Sequence, residues 1–188
     1  MNPEHLAAVL NRSEVIHEPA TVTAAIERLA DTVSADYRSR NPLVLSIMIG
    51  GLVFSGRLLS RIDIPLTVDY LHASRYRGET SGGEALHWLA RPSSPLAGRS
   101  VLILDDILDE GHTLRGIVDF CRAQGAADVA TAVLVKKRHD RCVEGVHADY
   151  VGLEVPDRYV FGAGMDYKDY LRNLPGIHAL AAADEERA

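Results

Sequence analysis

One stretch of the chain constrains it more than any other. Val101 to Leu104 is continuously apolar and runs into Asp105-Asp106, then Ile107-Leu108, then Asp109-Glu110-Gly111-His112-Thr113-Leu114. The apolar run predicts a buried strand. Asp105, Asp106 and Asp109 place three carboxylates within five residues at its end. Such groups repel one another and lose hydration unless a metal, hydroxyl donors or open solvent compensates. Glu110 to Thr113 then forms a turn into a helix predicted over Thr113 to Gln124. The backbone N–H groups of that helix start, with the Thr113 hydroxyl, suit a phosphate. One segment therefore offers an anion cradle beside carboxylates able to hold a diol, the two features a ribose 5-phosphate presents. Two other readings fit the acidic pair: purely structural carboxylates, and the Mg²⁺-binding aspartates of a receiver domain. In receivers the pair ends the first strand rather than a mid-chain one, and the glycine-threonine helix start has no role there.

Strands and helices alternate around this segment. Thr23 to Arg40 carries Ile26, Leu29, Ala30, Val33 and Tyr37 at helical spacing, and Asn41-Pro42 ends it. Strands are predicted over 43–49, 66–71, 85–90, 100–105, 128–136 and 150–155, with a helix over 52–62 after Gly50-Gly51. Helix 113–124 should end at Gly125 in a left-handed conformation. This alternation implies βαβ units and a mostly parallel central sheet flanked by helices, with ligands beyond the carboxyl ends of the strands. Residues 72–83 are polar and glycine-rich, which reads as a mobile lid loop or a disordered hairpin tip. The whole chain, 1–188, reads as a single domain.

At 188 residues, 47% hydrophobic and 24% charged, the chain has the composition of a folded domain rather than a disordered one. A net charge of −6 argues against nucleic acid as a partner. No apolar run is long enough to span a bilayer, so no membrane partner is expected. Met1 to His5 lacks a basic region leading into an apolar one, and Cys121 and Cys142 form no disulfide framework or metal knuckle; both observations point to the cytoplasm. Cys121 should be buried on a helix face.

With its acidic pair, the two apolar residues, Asp109, Gly111 and Thr113, the central stretch resembles the signature of the type I phosphoribosyltransferases. Glu110 departs from it, standing where Thr or Ser is usual. Leu134-Val135-Lys136-Lys137, the stretch Asp149 to Gly162 and the stretch Gly164 to Leu174 are similar to the second half of the hypoxanthine-guanine phosphoribosyltransferases. The similarity runs from about Leu43 to Leu174. It implies the type I phosphoribosyltransferase fold with a small hood over about 156–176, and a purine-salvage enzyme. Such an enzyme transfers phosphoribosyl from phosphoribosyl pyrophosphate to hypoxanthine or guanine, giving IMP or GMP, with Mg²⁺ as cofactor and a homodimer or homotetramer as the assembly.

The resemblance also implies roles. Asp109 would serve as the catalytic group beside N7 of the base. Asp105 and Asp106 would hold the ribose hydroxyls, directly or through Mg²⁺. Glu110, Gly111, His112 and Thr113 would bind the 5-phosphate, with the Glu110 side chain turned away and that of His112 exposed. Gly50, Gly51, Arg172, Ser74 and Arg75 would bind pyrophosphate; Ile49 stands where a lysine is frequent, and the resemblance suggests an unusual peptide geometry at Ile49-Gly50. Lys136 would donate to the 6-oxo group, Tyr159 would stack on the purine, the Val160 backbone would read its edge, and Asp166 would take a second Mg²⁺. Taken singly, Lys136 reads equally as a solvated lysine, Tyr159 as a core aromatic, Arg172 as a helix-face cation, and Lys137, Arg138 and Arg141 as a solvated basic turn. Two rival functions remain: a nucleotide- or phosphoribosyl-pyrophosphate-sensing regulator on the same fold, and a transferase for xanthine or a pyrimidine.

Overall fold

An apolar run bounded by other apolar runs is buried on both faces, and the Val101 stretch sits in the middle of the sheet. The computed structural model describes residues 2–75 and 86–185, with Arg75 described by its backbone. In chain order its elements are helix α1 (Pro3–Arg12), strand β1 (Glu14–His17), α2 (Pro19–Tyr37), β2 (Leu43–Ile47), α3 (Gly51–Leu59), β3 (Thr67–Arg75) and β4 (Leu86–Ala90). There follow β5 (Ser100–Leu108), α4 (His112–Ala123), β6 (Asp128–Arg138), β7 (Tyr150–Pro156), β8 (Val160–Phe161), β9 (Ile177–Ala179) and α5 (Ala182–Glu185).

Six strands form the main sheet in the order β4-β3-β2-β5-β6-β7. All its pairings are parallel except β3 with β4, so the mostly parallel sheet is observed. Two apolar cores cover its faces. On one, α2 and α3 contribute Ile26, Leu29, Val33, Tyr37, Phe54 and Leu58. On the other, α4 packs Leu114, Ile117 and Cys121 against Leu43, Leu45, Val101 and Ile103. The buried Cys121 is thus on the face its helical spacing predicted. The helix predicted over 23–40 begins earlier, at Pro19, where proline's fixed φ suits the first helical position. Gly125 ends the α4 segment at φ +82°, as anticipated.

Two boundaries differ in ways that bear on function. First, His72 to Arg75 are not loop: they continue β3 and pair antiparallel with β4, Ser74 opposite His87 and Arg75 opposite Leu86. The remainder of the expected lid, 76–83, lies outside the described residues. Secondly, a three-stranded antiparallel sheet, β1-β9-β8, stands apart from the main one. Only β8 falls in the expected hood segment 156–176; the other two strands come from near the two ends of the chain. Helix α1, absent from the sequence reading, closes this sheet. Asn2 caps it by accepting from the Glu4 N–H at 3.0 Å, and Pro3 opens its first turn. Val9 of α1 packs with Phe161, Tyr167 and Leu180 in a third, smaller core. None of the described helices is long and apolar enough to cross a membrane.

Candidate active site

The strand holding the acidic pair continues through it: β5 extends to Leu108, past the predicted end at Asp105. Parallel pairing sets Ile107 opposite Val135 and Leu108 opposite Lys136. The same register carries Asp109 up beside Lys137. The Lys137 Nζ donates to Asp109 Oδ2 at 2.6 Å, and the His139 ring Nε2 lies 2.7 Å from Asp109 Oδ1. The side chains of Lys137 and His139 are 14% and 4% exposed, that of Asp109 40%. Burial pushes the Asp109 carboxyl up, but the hydrogen bond and charge of Lys137, with the hydrogen bond to His139, outweigh it and hold the group below the usual carboxylate range.

This corrects the sequence reading of the purine lysine. Lys136 is exposed, and successive side chains of a strand point to opposite faces, so it projects away from Asp109. Lys137 instead lines a pocket of about 200 Å³ with Asp106, Asp109, Tyr159, Val160, Met165 and Asp166. Lys137 and His139, two residues apart in extended chain, share a face. In sequence Lys137 reads as part of a solvated basic turn, and His139 carries no local signal of a role. Met165, which adds an apolar wall, was likewise unassigned. Tyr159 and Val160 line the same pocket; Tyr159 meets Tyr167 edge to face, with centroids 6.1 Å apart.

A second pocket, about 330 Å³, is lined by the continuous run Asp105 to Leu114. Its floor is the start of α4. Gly111 precedes that helix at φ +85°, and a Cβ there would lie 2.8 Å from Val146 Cγ1, so conformation and space both require glycine. The orphan N–H groups and dipole of the helix start face this pocket. Glu110 is among the lining residues, and its Oε2 lies 3.6 Å from His112 Nε2. The His112 side chain is 23% exposed, more enclosed than expected, because it is packed into the turn. The two pockets share Asp106, Ile107 and Asp109.

Asp106 is buried and Asp105 half-buried. Burial first, and then the adjacent Asp106 charge, push the Asp105 carboxyl well up; burial raises Asp106 as well, against the opposing pull of Asp105 and Arg172. Gly50 is required by close approach: a Cβ there would stand 2.3 Å from Asp106 Oδ2. Gly50 leads into α3 and is half-buried, whereas Gly51 is buried against the Leu104 carbonyl. A cis peptide joins Met48 to Ile49, one bond before the place anticipated.

The expected pyrophosphate and metal residues are only partly gathered. Asp166 lines the smaller pocket, but its Oδ1 accepts from Arg172 Nη2 at 2.9 Å and its Oδ2 from the Asp169 N–H at 2.8 Å. Arg172 Nη1 donates to the Gly164 carbonyl at 2.9 Å. Arg172 therefore braces the 164–172 turn and lines neither pocket. Ser74 lines neither pocket, standing on the exposed face of β3, and the Arg75 side chain is outside the description. Among the described residues, Asp109, His139 and Asp157 bring one ligand atom each within 4.8 Å of one another. Lys137 already occupies Asp109, and Arg141 binds Asp157 through two bonds of 2.6 and 2.8 Å. These cations make the cluster a hydrogen-bond network rather than a metal centre. The carboxylate oxygens of Asp105 and Asp106 are the ligand type that a hard divalent cation takes.

Comparison with known proteins places this geometry. The model of the phosphoribosyl transferase domain matches residues 13–169. A hypoxanthine-guanine phosphoribosyltransferase of Streptococcus pneumoniae is 34% identical over 159 residues, 85% of this chain and 88% of the relative. Among solved structures, a hypoxanthine phosphoribosyltransferase of Staphylococcus aureus superposes with a TM-score of 0.87 at 28% identity, covering 94% of this chain and 96% of the other. A variant of the hypoxanthine phosphoribosyltransferase of Trypanosoma cruzi, complexed with its product IMP, gives 0.84 at 26% identity over 94% and 95% of the two chains. The chain belongs to the phosphoribosyl transferase family, on its hypoxanthine-guanine phosphoribosyltransferase branch.

Proposed function

We propose that this enzyme salvages 6-oxopurines, joining hypoxanthine or guanine to the ribose of phosphoribosyl pyrophosphate and releasing pyrophosphate. The observation that carries the reading is the pair of pockets sharing Asp106, Ile107 and Asp109. One is walled by Tyr159, Val160 and Met165 and holds a lysine, suiting a flat base with a carbonyl. The other is floored by a helix start, suiting the 5-phosphate. Residues 1–188 act in this reading as one phosphoribosyltransferase unit.

In the reaction N9 of the base attacks C1 of the ribose as the C1–pyrophosphate bond breaks, through a transition state of oxocarbenium character. Asp109 accepts the N7 proton as the N9–C1 bond forms. Lys137, in place of Lys136, donates to the 6-oxo oxygen and so selects against 6-amino purines. Tyr159 stacks on the ring and the Val160 backbone reads its edge. Asp105 and Asp106 hold the ribose hydroxyls, the N–H groups from Glu110 to Thr113 and the Thr113 hydroxyl take the 5-phosphate, and Gly50 and Gly51 offer N–H groups to pyrophosphate. Arg172 supports this side by holding Gly164 and Asp166. Asp105, Asp106 and Asp166 would hold Mg²⁺, whose charge would stabilise the departing diphosphate; the upward-shifted acidic pair is a site that a cation relieves. The enzyme works in the cytoplasm as a homodimer or homotetramer.

Incubating the protein with phosphoribosyl pyrophosphate, Mg²⁺ and each purine base separately tests the reading. IMP or GMP should form from hypoxanthine or guanine, and adenine should be inert. No nucleotide from either 6-oxopurine would favour a sensing regulator, and product from xanthine alone would shift the substrate.

A further inference from the structure

Resting on that reading, we infer that His139 is a positioning residue for the reaction: a neutral imidazole whose Nε2–H holds the Asp109 carboxylate in place while Lys137 turns to the base. Both Asp109 oxygens carry a donor in this structure, Lys137 on Oδ2 at 2.6 Å and His139 on Oδ1 at 2.7 Å. The two donors are not equivalent. Lys137 has a long flexible stem and lines the base pocket, so its N–H donors can turn to hydrogen-bond an incoming carbonyl, leaving Oδ2 open to the N7 proton. His139 lines neither pocket and its side chain is almost fully enclosed, so it stays on Oδ1 throughout.

The protonation state follows from geometry. The Arg141 backbone N–H lies 3.1 Å from His139 Nδ1 and can only donate, so Nδ1 carries its lone pair. The ring is then neutral with its proton on Nε2, directed at Asp109. A neutral donor fixes the carboxylate without the full loss of basicity that a second cation would impose. The turn that holds the ring is anchored in turn: the Arg141 guanidinium binds Asp157 through two bonds of 2.6 and 2.8 Å, two residues before the Tyr159 that walls the base pocket. The base-binding turn and the proton acceptor are thus linked through one histidine.

Three variants test this with steady-state kinetics: His139→Leu, which keeps bulk but no donor; His139→Asn, whose shorter amide falls short of Asp109; and His139→Gln, whose amide nitrogen takes the place of Nε2. Loss of orientation should lower kcat for nucleotide formation by about tenfold to a hundredfold in the Leu and Asn variants. The KM for phosphoribosyl pyrophosphate should stay within about twofold, and Gln should restore most of kcat. Circular dichroism verifies that each variant is folded; should Leu fail, the Asn and Gln pair carries the comparison. In the wild type, ¹⁵N spectra of labelled histidine at neutral pH should show His139 protonated on Nε2 alone. Wild-type kcat in the folded Leu or Asn variant overturns the inference while leaving the functional reading intact. So does a Gln variant no better than Asn, or a ring protonated on Nδ1. Absence of nucleotide product in the wild type overturns the functional reading itself, and the clamp's catalytic purpose with it.

Discussion

Lys136 and Lys137 differ by one position and by everything that position implies. Along β6 the residues from Thr131 to Val135 are all buried, because a central parallel strand has no solvent face. Alternation, the usual guide to which neighbour points where, is therefore silent in the sequence until the strand leaves the core. The register with β5 decides it, pairing Leu108 with Lys136 and so bringing Asp109 to Lys137. The consequence is measurable. Lys137→Met keeps the apolar stem and removes the charged donor, so kcat/KM for hypoxanthine should fall by about tenfold to a hundredfold, the cost of a charged hydrogen bond. Lys136→Met should change it by less than about twofold, as for other exposed positions. The reverse ranking would restore Lys136 as the base-reading lysine. The acidic residues themselves were legible, since an apolar run ending in carboxylates is local information. Lys137 and His139 were not, since their meaning lies in a partner on another strand.

Elements were legible where their pattern was long and local. The strands of the main sheet and the helices α2, α3 and α4 follow from apolar runs and helical spacing, with ends displaced by a few residues. The β3–β4 pair shows the limit: His72, Ser74 and Arg75 are polar in sequence yet paired in structure, because backbone bonds across an antiparallel pair do not require apolar side chains. A second interaction pins this pair. The Asp69 carboxylate in β3 accepts from the Tyr70, Ser93 and Ser94 N–H groups at 2.7, 2.8 and 2.7 Å and from the Ser93 hydroxyl at 3.0 Å, tying the segment after β4 back to the sheet. Partial burial raises its pKa, but these donors prevail and bring it down to about 2. A folded pKa below the unfolded value contributes stability above the unfolded pKa and loses it as pH falls through the folded one. Since the site is only partly buried, Asp69→Ala should cost about 1–2 kcal/mol at pH 7, discounted for solvent screening. In denaturant titrations the difference from wild type should shrink as pH falls from about 4 towards 2. A constant difference across that range would mean that packing, not the charge, is what Asp69 supplies.

At the scale of the whole molecule, segments from near the two ends of the chain meet in the small sheet, next to the Tyr159 that lines the smaller pocket. Strand β1 pairs with β9, β9 with β8, and Arg12 of α1 binds Asp184 of α5 through two bonds of 2.9 Å. Arg158 adds links to Glu14 and to the Leu180 carbonyl, the latter at 2.6 Å. Short strands with few apolar residues, brought together from far apart in sequence, leave no periodic signal, which is why this sheet was read only as a segment around β8. One face of this sheet joins the core beside α2 through Val160, Ile177 and Ala179, while the other forms the separate small core of Val9, Phe161, Tyr167 and Leu180, with Tyr159 packed at its edge. The separation predicts a selective defect. Val9 is completely buried there, so Val9→Ala deletes two methyl groups and should destabilise by about 1–3 kcal/mol. Because the loss falls on the core beneath Tyr159, the KM for the base should rise severalfold. The carboxylates and helix start that would hold phosphoribosyl pyrophosphate lie on the main sheet, so its KM should stay unchanged. Measuring both constants in the same variant separates the possibilities: a shift in both would mean that the hood and the main sheet loosen together, and a shift in neither that the wall of the base pocket does not depend on the packing beneath it.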